Sequence, residues 1–269
     1  MDGFLEMFSY SFIWRAIFVG VLISACAALL GVNLVLRRYS MTGDGLSHVA
    51  FGAAAVAMAL GAAPLGVSIP VVLAAAFLML RLGRNTGGLQ GDAAIALVSV
   101  SAVAVGVMFL SMSSGMNTDV YSYLFGSVLM LDNHDVLLCI VMSAVILICY
   151  LLLWNRMFAV TFDETFTKAS GLNVDLYQMV LAAMTAIVVV LGMRMMGALL
   201  ISGLLLIPVL SAMRLCRNFR AVTFAAVCFS VLGYVLGFLL ACAFALPVGA
   251  AVAGVQVCVF LLLSLVVQS

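Results

Sequence analysis

The sequence predicts an all-α, polytopic transmembrane helical bundle of about nine spans, one domain over residues 1–269. Two observations carry that expectation. The chain is 67% hydrophobic and only 8% charged, whereas a soluble domain carries about 25% charged residues. Its apolar runs are continuous rather than alternating, and many reach the roughly 20 residues a helix needs to cross a hydrocarbon core of about 30 Å. Backbone inside a bilayer must satisfy its own hydrogen bonds, so such runs are read as helices.

In order, the predicted spans are 13–36, 46–62, 64–81, 92–111, 136–154, 176–193, 197–213, 221–241 and 249–267. The turn "GAAPLG" separates the second from the third, and a very tight hairpin at "GMRMMG" separates the sixth from the seventh. Residues 1–11 place Asp2 and Glu6 among apolar side chains, the pattern of a short external interfacial segment. They lack the positive n-region of a cleavable signal peptide, so the first span is expected to stay as an anchor. Arg37, Arg38, Arg81, Arg84, Arg156, Lys168, Arg214, Arg217 and Arg220 all fall on one side of a nine-span arrangement. The positive-inside rule makes that side cytoplasmic, with the N-terminus outside and the C-terminus inside the cell membrane. Arg15 and Arg194 are the exceptions.

Composition excludes several functions. No GxxxxGK[ST] loop occurs and no loop is long enough for a nucleotide-hydrolysing core. Any ATP hydrolysis is therefore expected in another chain. HExxH is absent, which argues against an intramembrane metalloprotease. The seven cysteines are odd in number, form no CxxC, and sit mostly in apolar runs, where cysteine behaves as a small hydrophobe.

The candidate site is "SMTGDGLSHVAFG", Ser40 to Gly52. Asp44 and His48 are spaced i, i+4 and share a helix face, with Ser47 near it. A carboxylate and an imidazole together suit Mn²⁺, Zn²⁺ or Fe²⁺ better than Cu⁺ or a water-rich Mg²⁺. Two ligands do not close a site. A homodimer would bring two pairs together, and a single pair with water would bind weakly and in passing. Gly43 and Gly45 permit a helix break or a close backbone approach. The alternative is that Asp44 is the N-cap of the second span. "LDNHD", with Asp132, His134 and Asp135, is a solvated connection or an entrance for a cation. "NTDVYSYLFGS" is an interfacial helix or a re-entrant one lining a pathway, with Asp119 as its cap. "FDETFTKASGLNVDLY" is an amphipathic cytoplasmic segment in which Phe162 and Phe166 are i, i+4 and Gly171 ends a short helix. From Pro208 to Arg220 a proline-bent span ends in apolar and basic residues that could dock on another protein or simply anchor the chain.

Several of these stretches resemble, in order and spacing, the signatures of the membrane subunits of manganese, zinc and iron ABC importers. They are "LVLRRYSMTGDGLSHVAFGAAAVAMALG", "DVYSYLFGSVLML", "FDETFTKASGL" and "MRMMGALLISGLLLIPVLSA", with "ALPVGAAVAGVQV" similar to the last span. The resemblance runs from about 12 to 265. Gly45 stands where many members have alanine, and Ser211-Ala212-Met213 replaces the commoner small-residue run. The resemblance implies a type II importer permease made of two copies of this chain. It implies two copies of a cytoplasmic ATP-binding subunit below and an extracytoplasmic metal-binding protein above. Asp44 and His48 match the family's pathway residues, and residues 208–220 match the ATPase-coupling helix of related permeases. The chain itself is then not an enzyme and holds no permanent cofactor; Mn²⁺, Zn²⁺ or Fe²⁺ is cargo. Neither the charge pattern nor the resemblance points to nucleic acid. Rival expectations are a permease of the same architecture for a chelate such as a siderophore or cobalamin, or an ion-coupled secondary transporter. The first would have no use for a carboxylate–imidazole pair, and the second predicts more intramembrane charge.

Overall fold

The computed structural model describes residues 11–85, 91–112, 126 and 133–268. The segment 1–10 and the "NTDVYSYLFGS" stretch apart from Gly126 lie outside the described residues, as does Asp132. The described residues form eleven helices: α1 (Ser11–Leu36), α2 (Met41–Ala59), α3 (Pro64–Asn85), α4 (Gly91–Met112), α5 (Asn133–Leu152), α6 (Trp154–Phe162), α7 (Glu164–Ala169), α8 (Val174–Met196), α9 (Ala198–Leu215), α10 (Phe219–Phe244) and α11 (Val248–Gln268). The nine longer helices follow the nine expected spans. Seven of them, all but α2 and α9, are long and apolar enough to cross a membrane. Those seven make the chain a multi-pass membrane protein.

The layering follows from which helices can face lipid. α1 and α8 are mostly buried and form the centre, where Ile23, Leu30, Val189 and Leu191 are all but inaccessible. α3, α4, α5, α10 and α11 surround them and expose large apolar side chains such as Leu97, Val145, Phe224 and Leu262. Lipid tails are as apolar as leucine, so these helices associate through close packing rather than through escape from water. Gly52 of α2 shows how close. A Cβ there would lie 2.3 Å from the Ala102 carbonyl oxygen of α4, and one on Gly106 would lie 2.7 Å from the Gly52 Cα. Several polar groups between helices are paired. The Tyr234 hydroxyl donates to the Ala16 carbonyl at 3.0 Å, and the Ser230 hydroxyl donates to the Ser24 carbonyl at 2.9 Å.

Direct contacts gather the basic residues at one end of the bundle. Arg37 pairs with Glu164 at 3.4 Å. Arg81 and Asp175 line one cavity of about 590 Å³ between α3 and α8. Arg156 donates to the Tyr177 hydroxyl at 2.5 Å. Phe219, beside Arg220, packs its ring on Trp154, Phe158 and Phe162. Arg194 sits at the other end and is neutralised there. It makes a 2.5 Å ion pair with Asp135, in the first turn of α5. This pairing explains one exception to the charge pattern. It also takes Asp135 out of any entrance site, because a carboxylate occupied by a guanidinium attracts cations poorly; His134 is exposed. Replacing Arg194 by Met is expected to lower the melting temperature. The loss corresponds to about 1–3 kcal/mol, the cost of leaving a mostly buried polar group without its partner. Adding Asp135→Asn should recover part of it in the same thermal assay.

Two expectations about the basic end change. Pro208 lies inside α9, which continues to Leu215, and α10 begins at Phe219, so residues 208–220 form no separate helix. The short helices at this end are instead α6 and α7. Asp163 caps α7, accepting a hydrogen bond from the Phe166 N–H at 2.8 Å that holds its carboxyl below the ordinary range. Gly171, at φ 81°, follows the end of α7 as expected. Phe162 and Phe166 fall in different helices, on either side of that cap.

Candidate metal-ion site

α2 begins at Met41, five residues before the expected span. Asp44 is therefore in its first turn and is not the N-cap; Ser40 occupies that position and makes no side-chain cap bond. The acid is still well placed, because the exposed N–H groups of a first turn favour negative charge. The flanking glycines serve packing rather than a helix break. A Cβ on Gly43 would lie 2.6 Å from Leu205 Cδ1, and one on Gly45 would lie 2.4 Å from Ile95 Cγ2. Side chains at those positions would push α2 away from α9 and α4.

The structure brings Asp44 and His48 together. Asp44 Oδ2 and His48 Nε2 are 3.6 Å apart, and the side chains are 50% and 39% exposed. Two donors each about 2.1 Å from a tetrahedral ion stand about 3.4 Å apart. The pair is thus spaced to share one ion with little rearrangement. Ser47 does not join it. Its hydroxyl donates to the Asp44 carbonyl at 2.7 Å and is buried. Ser202 of α9 lies beside the Asp44 carboxylate. Sequence reasoning missed Ser202, which lies in an apolar run with nothing at helical spacing to mark it. Among the described residues no group of three or more His, Cys, Asp or Glu could hold a metal. Asp44 and His48 therefore have no third such ligand there.

The surroundings explain why this pair can be half exposed inside an apolar bundle. α2 is buried except along Met41, Asp44, His48, Val56, Ala59 and Leu60. α9 is partly open along Ser202, Leu206, Leu210 and Met213. Ser202 beside Asp44 joins these two stripes into one half-open face. α2 and α9 are also the two long helices that do not qualify as membrane-crossing by length and apolarity. A face that carries a carboxylate and an imidazole is poorly suited to lipid tails. All seven cysteines are free, and none is near enough to complete the site.

A multi-pass helical membrane protein with an ion-sized acid–imidazole pair on a half-open face is the class that fold and site define. Residues 9–267 match the ABC 3 transport family, and the chain belongs to that family. It is 26% identical over 231 residues to the high-affinity zinc uptake system membrane protein ZnuB of Haemophilus influenzae, covering 86% of this chain and 88% of that one. It is 26% identical over 264 residues to the manganese transport system membrane protein MntC of Listeria monocytogenes, covering 96% and 91%. The fold is that of PsaBC from Streptococcus pneumoniae, solved in complex with Fab, with TM-score 0.86, 24% identity and coverage of 97% and 94%.

Proposed function

We propose that this chain is the permease subunit of an ATP-driven importer of divalent transition metal ions, Mn²⁺, Zn²⁺ or Fe²⁺. The observation that carries the reading is the Asp44–His48 pair, spaced for one ion and turned toward a half-open face. Relatives named for zinc and manganese transport support it. The carboxylate cancels part of the ion's charge, and the imidazole favours transition metals over Ca²⁺ and Mg²⁺. Two copies meeting across the α2–α9 face would bring two such pairs to the axis. α2 and α9 then also cross the membrane, making nine spans, with the N-terminus outside and the C-terminus in the cytoplasm.

The basic end is cytoplasmic in this reading and receives two copies of an ATP-binding subunit. The docking surface combines the 208–220 region with α6, which the Phe219 ring joins into one aromatic cluster, and with α7, which packs on α6. Phe162 and Phe166 are 58% and 69% exposed there, an apolar surface next to Arg156, Lys168 and Arg220. An extracytoplasmic metal-binding protein delivers the ion at the other end. Nucleotide state in the partner selects which side is open, and the ion moves because its affinity differs between the two states.

The test is uptake of ⁵⁴Mn²⁺ and ⁶⁵Zn²⁺ into proteoliposomes holding this chain, its ATP-binding subunit and the metal-binding protein. Uptake that requires ATP and all three chains is expected. Uptake by this chain alone would replace the reading with an ion-coupled secondary transporter. Uptake only of a siderophore or cobalamin would replace it with a chelate permease.

A further inference from the structure

We infer that Glu164 is a positioning residue that clamps the cytoplasmic helices to the α1–α2 elbow, so that motion of α7 reaches Asp44 and His48. The inference rests on the transport reading above. The elbow is only Arg37 to Ser40, and Asp44 lies in the first turn of the helix that follows. It is also stiff. The Arg37 N–H donates to the Asn33 carbonyl at 3.2 Å, the Arg38 N–H to Val35 at 3.0 Å and the Tyr39 N–H to Leu34 at 2.9 Å. A rotation imposed at Arg37 therefore has little slack before it reaches α2.

Glu164 opens α7 and has three partners on three elements. Its Oε2 pairs with Arg37 Nη2 at 3.4 Å, and its Oε1 accepts from Gln178 Nε2 of α8 at 2.7 Å. Lys168, one turn on, stands at 3.8 Å. The Arg37 side chain is only 8% exposed. Its charge is shielded from water, so this pair is screened less than a surface pair. A second tie runs beside it. Asn33 of α1 donates to the Tyr150 hydroxyl of α5 at 2.8 Å and accepts from the Thr161 hydroxyl of α6 at 2.9 Å. α6 packs on α1, α5 and α8, and α7 packs on α6 and α8. The Arg37–Glu164 pair is thus a direct polar link from these two helices to the elbow that carries the metal pair.

The experiment measures ions taken up per ATP hydrolysed by the complete complex in proteoliposomes. The chains compared are wild type, Glu164→Gln and the charge swap Arg37→Glu with Glu164→Arg. Glu164→Gln is expected to stay assembled and hydrolyse ATP while ions per ATP fall about fivefold or more, the lower range of measured coupling between sites. The swap should restore the ratio to within about twofold of wild type, a recovery that a role in folding alone would not give a ratio per ATP. A wild-type ratio in Glu164→Gln overturns the clamp. So does an assembled swap with the ratio still low, or failure of both Glu164→Gln and the swap to assemble, since the pair then supplies stability rather than coupling. A wild-type complex that hydrolyses ATP but moves no ion sinks the transport reading, and the clamp with it.

Discussion

Asp44→Ala and His48→Ala are each expected to reduce ATP-driven Mn²⁺ and Zn²⁺ uptake about 100-fold or more while the complex stays assembled and keeps its basal ATPase activity. Each removes one of the two donors that stand 3.6 Å apart. Replacing a residue that merely supports a metal ligand typically costs 10–100-fold in affinity or activity, roughly a floor for losing the ligand itself. Both side chains are half exposed and neither fills the core, so truncation leaves no large cavity and the fold should persist. Ser202→Ala should be milder. It removes a neighbouring hydroxyl that could support the carboxylate, and the loss of one such polar partner, about 1 kcal/mol, is several-fold in rate or affinity. Lower pH should act in the same direction as His48→Ala, because a protonated imidazole cannot bind metal. The ordering decides between roles. If Asp44→Ala and His48→Ala transport normally, Asp44 is only a favourable acid in the first turn of α2 and the ion travels elsewhere. If Ser202→Ala is as damaging as Asp44→Ala, the hydroxyl is itself a ligand.

The lipid-facing helices were legible because burial in a bilayer leaves a long continuous run, and α3, α4, α5, α10 and α11 appear close to their expected bounds. α2 was harder. Its first turn, "MTGDG", reads as a loop by propensity, since glycine and aspartate both disfavour helix interiors. Tertiary packing overrides that preference, because Gly43 and Gly45 let α9 and α4 come close enough to hold the turn helical. The partnership of Asp44 with His48 followed from the i, i+4 spacing alone. Ser202 could not be found that way, because its place at the site depends on how α9 crosses α2, and nothing local records a crossing. Arg194 looked like an error in the charge pattern for the same reason: its partner is 59 positions away, at Asp135. The 208–220 region was expected, from the resemblance alone, to match a coupling helix. Pro208 lies inside α9, which continues for seven more residues. At the basic end, the pattern "FDETFTKASG" did give α7 and its glycine stop, whereas α6 merges in sequence with the apolar end of α5 and has no breaker before it.

Gly197→Ala is expected to destabilise the purified protein by about 3 kcal/mol and to lower its melting temperature by several degrees, with Gly197→Val worse. Gly197 is the one residue between α8 and α9, at φ 88° and ψ 158°. That region of backbone space is essentially closed to residues with a Cβ. The hairpin cannot relax by lengthening, since the Gly197 N–H already donates to the Met193 carbonyl at 2.9 Å and the Ile201 N–H to the Gly197 carbonyl at 3.4 Å. It is also covered. Gly126 lies so close that a Cβ on it would be 2.4 Å from the Met196 carbonyl carbon. A shift of the turn would carry α9 with it, and α9 brings Ser202 to Asp44 and Leu205 to Gly43. The effect should therefore appear twice, as a lower melting temperature and as weaker metal uptake by the protein that remains folded. Gly254→Ala is the control, because a Cβ there meets nothing within 4 Å and alanine is the better helix former. It should match or slightly exceed wild type in the melt. A Gly197→Ala protein that melts with wild type would mean that the α8–α9 connection adopts a backbone open to any residue. The position of α9 against the metal pair would then need another cause.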